Sequence, residues 1–253
     1  LQELDNGVAT LTLNRPRQFN ALSEAMLAAL QEELETIAEN EAVRLVILQG
    51  AGKVFCVGHD LKEMIAKREE TYYKSLFQQC SRMMMTLNKI PQPVIARVHG
   101  IATAAGCQLV GACDLAVASE DARFATSGIN VGLFCSTPSV PVSRNIPRKQ
   151  AMELLLTGEF IDATTALKWG LINRIATLEK LDEEVQKLAD AILSKSSVAV
   201  FTGKKMFYKQ LEKNMEDAYA FAGEIMACNM MAEDVNEGID AFVKKRTAVW
   251  KGR

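Results

Sequence analysis

Apolar residues recur along this chain with two spacings, and each switch between them marks a new element. Val8-Ala9-Thr10-Leu11-Thr12-Leu13 alternates like a half-buried strand and is closed by Asn14-Arg15-Pro16. Ser23 fits an N-cap for a helix that carries Met26, Leu27, Leu30, Leu34 and Ile37 on one face. Arg44 to Gln49 (RLVILQ) has the unbroken apolar run of a fully buried strand, closed by Gly50-Ala51-Gly52. The segment KVFCVGHDLKEM that follows reads as a strand end passing through Gly58 into a helix start. Residues 71–90 take helical spacing, with Tyr73, Leu76, Phe77, Cys80, Met83, Met84 and Leu87 inward. Pro91-Gln92-Pro93 stops that helix and launches a strand through Val98.

The next stretch, Gly100 to Asp114 (GIATAAGCQLVGACD), joins that strand to a new helix through Thr103, Ala104, Ala105 and Gly106. None of the four has a bulky side chain, so a ligand can come close to the backbone. The first amides of a helix lack intrahelical partners and sit at the positive end of its dipole, where an anion can be held. Tight helix-on-sheet packing accounts for the same pattern. Val54 to Asp60 repeats the form: strand, glycine, helix start. Two such turns aiming peptide N–H groups at one point would stabilise the oxyanion of an acyl carbonyl.

Farther on, 115–118 and 123–125 read as short strands, 128–141 as loop-rich, and 152–156 as the start of a helical half. Asp162 fits the cap of a short helix ending at Gly170, followed by a strand over 171–175. Helical segments then span 178–194, 198–211, 214–231 and 235–246. This order predicts an α/β core, residues 1–195, carrying a C-terminal helical region, 196–253. Met, Phe and Ala are frequent in the last two helices, as a bundle face or a subunit interface requires.

Composition narrows the function classes. The chain has 253 residues, enough for one large domain or a core with an appendage. A net charge of −2 gives no basis for nucleic-acid or anionic-membrane binding, and no apolar stretch is long enough to span a bilayer. Six cysteines without a C-x-x-C pair read as free thiols in a reducing compartment. The two histidines, His59 and His99, are separated in sequence, which argues against a metal site. The chain opens at Leu1 inside a strand-like run, so a preceding segment with any targeting peptide is expected to be missing.

LTLNRPRQFNAL, VFCVGHDLKEM, PVIARVHGIATAAGCQLVGACDLAVAS, LLTGEFIDATTALKWGLIN and EGIDAFVKKR, in this order, resemble the crotonase (enoyl-CoA hydratase/isomerase) superfamily over essentially the whole length. GHDLKE, AAGCQLV, NVGLFCSTP and FYKQL resemble its enoyl-CoA hydratase domain-containing protein 3 group. The resemblance implies a spiral of repeated ββα units with a C-terminal helical trimerisation region, assembled as a homotrimer or a dimer of trimers. It implies no permanently bound cofactor and a coenzyme A thioester as ligand, its carbonyl between the backbone amides of His59 and Ala105. The coenzyme would pass Arg17, Gln18 and Phe19, then Asp60, Leu61 and Lys62. Phe242 and Lys245 would come from a neighbouring subunit. Lys62 and Lys245 would face phosphates, although solvated lysines look the same in sequence. The implied compartment is the cytoplasm in a bacterium and the mitochondrial matrix in a eukaryote.

The family's hydratases hold a water between two glutamates. The matching positions are Gln108 and Gly128, and neither exchanges a proton near neutral pH. Losing one positioned acid-base group commonly costs about 10²–10⁴-fold, so ordinary hydration is expected to be very slow. The aspartate of dienoyl isomerases falls at Ser136. In the related methylmalonyl-CoA decarboxylase a G-H-D turn supplies an oxyanion amide, and its tyrosine falls at Cys135. Cys135 as a nucleophile for thioester cleavage has no activating neighbour in sequence; a buried structural thiol is the simpler reading. His99, beside a glycine at a strand end, reads as structural. Three functions are therefore expected: an acyl-CoA enzyme with unusual acid-base chemistry (hydratase-like, decarboxylase or thioesterase), a silent acyl-CoA binder, or an oligomeric scaffold. The intact GHD and AAG turns weigh against the scaffold.

Overall fold

The computed structural model describes residues 2–253, and the strand reading at Leu1 lies outside them. A hairpin comes first. β1 (Gln2–Asp5) and β2 (Val8–Leu13) are joined by Asn6 and Gly7, both at positive φ, as an Asn-Gly hairpin turn requires. Helix α1 (Glu24–Ala38) begins at Ser23, whose hydroxyl accepts the Met26 amide. β3 (Leu45–Gly50), the short α2 (Leu61–Ala66) capped by Asp60, and the long α3 (Glu70–Lys89) follow. Next come β4 (Val94–Val98), β5 (Ile101–Thr103), α4 (Ala105–Ala112), β6 (Leu115–Ser119) and β7 (Arg123–Ala125). The remainder is α5 (Ser136–Asn145), α6 (Arg148–Thr157), β8 (Ile161–Asp162), α7 (Ala163–Trp169) and β9 (Arg174–Ala176). It ends with α8 (Leu181–Leu193), α9 (Ser197–Gln210), α10 (Met215–Asn229) and α11 (Glu233–Val243).

Six strands form one sheet in the order β1-β2-β3-β4-β6-β9, parallel except for the hairpin, and β5-β7-β8 form a smaller sheet. The chain crosses to the small sheet at His99-Gly100 and returns after α4, giving an α/β spiral. β3 shows why its apolar run is unbroken. Val46 and Leu48 face the main core with Leu27, Met83 and Leu87, while Leu45 and Ile47 face Leu181 and Val185 of α8.

Four segments differ from the sequence reading. Val54 to Val57 is not a strand, because its backbone meets β5 only at one bridge, Cys56 to Ala102. The central stretch contains a strand of its own, β5, before α4. The loop read over 128–141 holds a 3₁₀ turn (Ser127–Val131) and the first turns of α5, despite Pro138 and Pro141. Pro138 stands where a helix has no intrahelical donor to lose, and Pro141 packs under Gly111 of α4, so packing overrides the breaker signal. The last strand begins at Arg174 instead of Leu171, whose amide bonds the end of α7.

The C-terminal helices attach to the core through one buried knot. Lys204 of α9, with 6% of its side chain exposed, lies 2.7 Å from Asp114 and also donates to the carbonyls of Leu87 and Gln92. Tyr208 donates to the other Asp114 oxygen at 2.8 Å. Beyond it, α10 and α11 leave Met215, Tyr219, Met226, Phe242 and Val243 more than 70% exposed. Among the described residues no helix is long and apolar enough to cross a membrane.

Candidate functional site

The two glycine-containing turns meet. Gly58 has φ +100, and a Cβ added there would lie 2.9 Å from the Ala104 Cβ and 3.2 Å from the Ala105 nitrogen. Only glycine fits this contact. Leu22 pins the first turn from the other side, donating to the Gly58 carbonyl at 2.7 Å and accepting the Asp60 amide at 3.1 Å. In a trans peptide the N–H points opposite the preceding C=O, so the His59 N–H is directed away from Leu22. On the second turn Ala104 adopts φ 50, ψ −118, a strained conformation for a residue with a Cβ. The Ala125 carbonyl holds its amide at 3.0 Å, and the Gln108 amide donates to its carbonyl. The Ala105 N–H therefore projects from the start of α4. Among the described residues neither the His59 nor the Ala105 amide has an acceptor in the chain.

Both residues line a cavity of about 670 Å³. Arg17, Gln18, Phe19, Asp60, Leu61 and Lys62 lie along it, as do Gly128, Cys135 and Ser136, so most of the sequence-predicted site is brought to one place. Arg17, Phe19, Leu61 and Lys62 are exposed. Burial would raise the Asp60 carboxyl, but the Arg15 guanidinium at 2.9 Å and the Lys62 amide outweigh it and hold it below its ordinary value. That clamp fixes the start of α2. Arg15 was not among the sequence candidates; an Arg in a strand-ending turn carries no signal of its partner 45 residues away.

Three predicted residues stand elsewhere. Gln108 is buried in α4 and does not line the cavity; its amide oxygen has no partner among the described residues. Phe242 and Lys245, at the end of α11 and just after it, are exposed and not part of this chain's own cavity. Gly128 does line it, yet there is no room for a side chain there. An added Cβ would lie 2.6 Å from the Leu133 carbonyl oxygen and 2.8 Å from the Cys135 sulfur. Leu133 itself donates to the Gly128 carbonyl at 3.0 Å, closing the loop over that position.

The inner wall is mainly apolar, with Val57, Met64, Phe77, Phe134 and Pro138. Its polar groups are few: Ser127, whose hydroxyl lies 2.7 Å from that of Thr103, Ser136, Thr137, the Cys135 thiol and the His59 ring. Burial pushes the Cys135 thiol up and the His59 imidazole down to about 4, so both are neutral at pH 7. The His59 ring packs edge-on to Phe77, centroids 5.6 Å apart; both its nitrogens are buried, and neither makes a hydrogen bond of good geometry, the Leu22 backbone giving only a weak contact that partly offsets burial. His99 instead bonds the Gly52 carbonyl at 2.9 Å, in keeping with a structural role. All six cysteines are free, five of them buried, and no group of three or more His, Cys, Asp or Glu side chains among the described residues could hold a metal.

Comparison with known proteins agrees with this architecture. The profile of the enoyl-CoA hydratase/isomerase family matches residues 3–253. The rat protein named enoyl-CoA hydratase domain-containing protein 3, mitochondrial, is 46% identical over 245 residues, 97% of this chain and 82% of the relative. A crystal structure of an enoyl-CoA hydratase from Mycobacterium smegmatis superposes with a TM-score of 0.98 at 57% identity, covering 99% of this chain and 98% of that one. The human domain-containing protein 3 crystal structure gives 0.96 at 44% identity, covering 99% of each chain. With a full-length profile match, close relatives of both bacterial and mitochondrial origin, and the same spiral fold, this chain belongs to the enoyl-CoA hydratase/isomerase family, in its domain-containing protein 3-like group.

Proposed function

We propose that this chain binds an acyl-coenzyme A thioester in the 670 Å³ cavity and polarises its carbonyl between the main-chain amides of His59 and Ala105. The observation that carries the reading is the pair of unpartnered amides on two abutting turns, one of them held by strain at Ala104. A donor of this kind is typically worth about 3 kcal/mol of transition-state stabilisation. Arg17 and Lys62 at the mouth suit the coenzyme's phosphates; Phe242 and Lys245 are assigned to the pocket of a neighbouring subunit. The exposed apolar residues of α10 and α11 support a trimer built through residues 196–253, which light scattering on the purified protein would test.

The reaction is one that needs an oxyanion hole and little acid-base help. Gln108 and Gly128, at the positions of the hydratase glutamates, cannot move a proton, and the space a side chain at 128 would need is taken by the loop. Decarboxylation through an enolate fits this inventory. Thioester cleavage by Cys135 fits poorly, because its raised thiol carries little thiolate. A silent acyl-CoA binder is the second reading, favoured by the same lack of proton-transfer groups. A panel of enoyl-, malonyl- and methylmalonyl-thioesters read by mass spectrometry separates the two. Turnover of any member supports the enzyme, and binding without turnover supports the binder. Absence of binding to every thioester sinks both.

A further inference from the structure

A second hollow of about 430 Å³ lies on the outer face of α3, lined by Lys74, Gln78, Ser81, Arg82, Met85 and Phe77. Among the described residues Phe77 alone lines both this groove and the main cavity. Its phenyl ring is half-buried and stands between them. On the cavity side it meets the His59 ring, and along the helix it stacks on Tyr73 with centroids 6.5 Å apart and planes 23° apart. The edge-on contact with His59 holds the ring on the cavity side, where the imidazole is itself buried.

Resting on the thioester reading above, we infer that Phe77 is a specificity-determining partition, limiting the acyl group to what the main cavity holds and separating it from the groove on α3. With the ring in place the acyl chain ends against an aromatic wall. With it removed the two hollows join, and a longer chain runs on over Met85 between Lys74 and Arg82. Each methylene newly taken from water then adds to binding.

Calorimetric titration of butyryl-CoA and dodecanoyl-CoA into the wild-type chain and into Phe77→Ala tests this. Wild type should bind dodecanoyl-CoA no more tightly than butyryl-CoA. Phe77→Ala should move the ratio of the two dissociation constants by roughly tenfold or more toward the long chain, the effect of burying about two further methylenes. Phe77→Leu, which keeps an apolar side chain on α3, should move it part of the way and serves if the alanine variant does not fold. An unchanged ratio in the variants, with butyryl-CoA still bound, overturns the partition alone, as does a wild type that already gains affinity with chain length. Failure of wild type to bind either thioester overturns the underlying reading as well.

Discussion

The His59 ring makes stability depend on pH in a defined window. Burial lowers its folded-state value from 6.5 to about 4, while the unfolded chain keeps the ordinary value. Between these values the unfolded state binds the extra proton more readily, so stability falls as pH falls. The contribution is complete above about pH 6.5, drains away toward pH 4 and is flat below. For a shift of this size the loss is about 2 kcal/mol by pH 5 and about 3 kcal/mol by pH 4. Urea unfolding of wild type and His59→Gln at pH 7, 5 and 4 isolates it, since carboxylates shared by both proteins cancel in the difference. Wild type should lose about 2 kcal/mol more than the variant between pH 7 and pH 5. Parallel curves, or an NMR titration placing the ring near 6.5, would refute the claim that it is sealed from water.

Three other outcomes follow from the same geometry. Gly58→Ala should cost about 2 kcal/mol or more by chemical denaturation and abolish acyl-CoA binding, because the new methyl meets Ala104 at 2.9 Å in a backbone conformation that alanine resists; adding Ala104→Gly should restore part of the loss, and strict additivity would count against the contact. Gly128→Glu should not create crotonyl-CoA hydration and should lower stability by about 1–3 kcal/mol, since the side chain must displace the Leu133 carbonyl; hydration appearing with an unshifted melting temperature would contradict the closed loop. A native thiol titration at pH 8 should detect at most one of the six cysteines, Cys228, and all six after unfolding; rapid alkylation of Cys135 would reopen the nucleophile reading.

What the sequence made legible was local. Ser23 and Asp162 sit at their helix starts and accept amides from Met26 and Thr165, and Gly170 ends its helix at φ +93, because caps depend on a few adjacent residues. Residues whose role depends on distant neighbours were read less well. Pro138 and Pro141 signalled a loop until the packing of α4 on α5 is known. Helical spacing placed Phe77 inward with Leu76 and Cys80, but not at the edge of that face where two hollows meet. The likeness to known motifs named residues that the fold gathers along one cavity, and it also named Gln108, which is buried in α4 and not among the residues lining that cavity, since a motif fixes a position in the chain and not a side chain's surroundings.

Costs of folding retained at one place and absent at another point to what the fold keeps. Ala104 holds a conformation worth about 1–3 kcal/mol of strain, and the His59 ring is buried nearby without a hydrogen bond of good geometry. Both lie on the turns that present the unpartnered amides, where glycine at 104 or an apolar residue at 59 would remove the expense. Gly128 shows the opposite: the chain closes over it with a 3.0 Å hydrogen bond from Leu133 and no comparable strain in the loop beyond. A chain with no ligand to hold at the two turns would be expected to relax them, as the loop over Gly128 is relaxed. The asymmetry supports the proposal that the two turns, rather than the loop over Gly128, are where this protein holds its ligand.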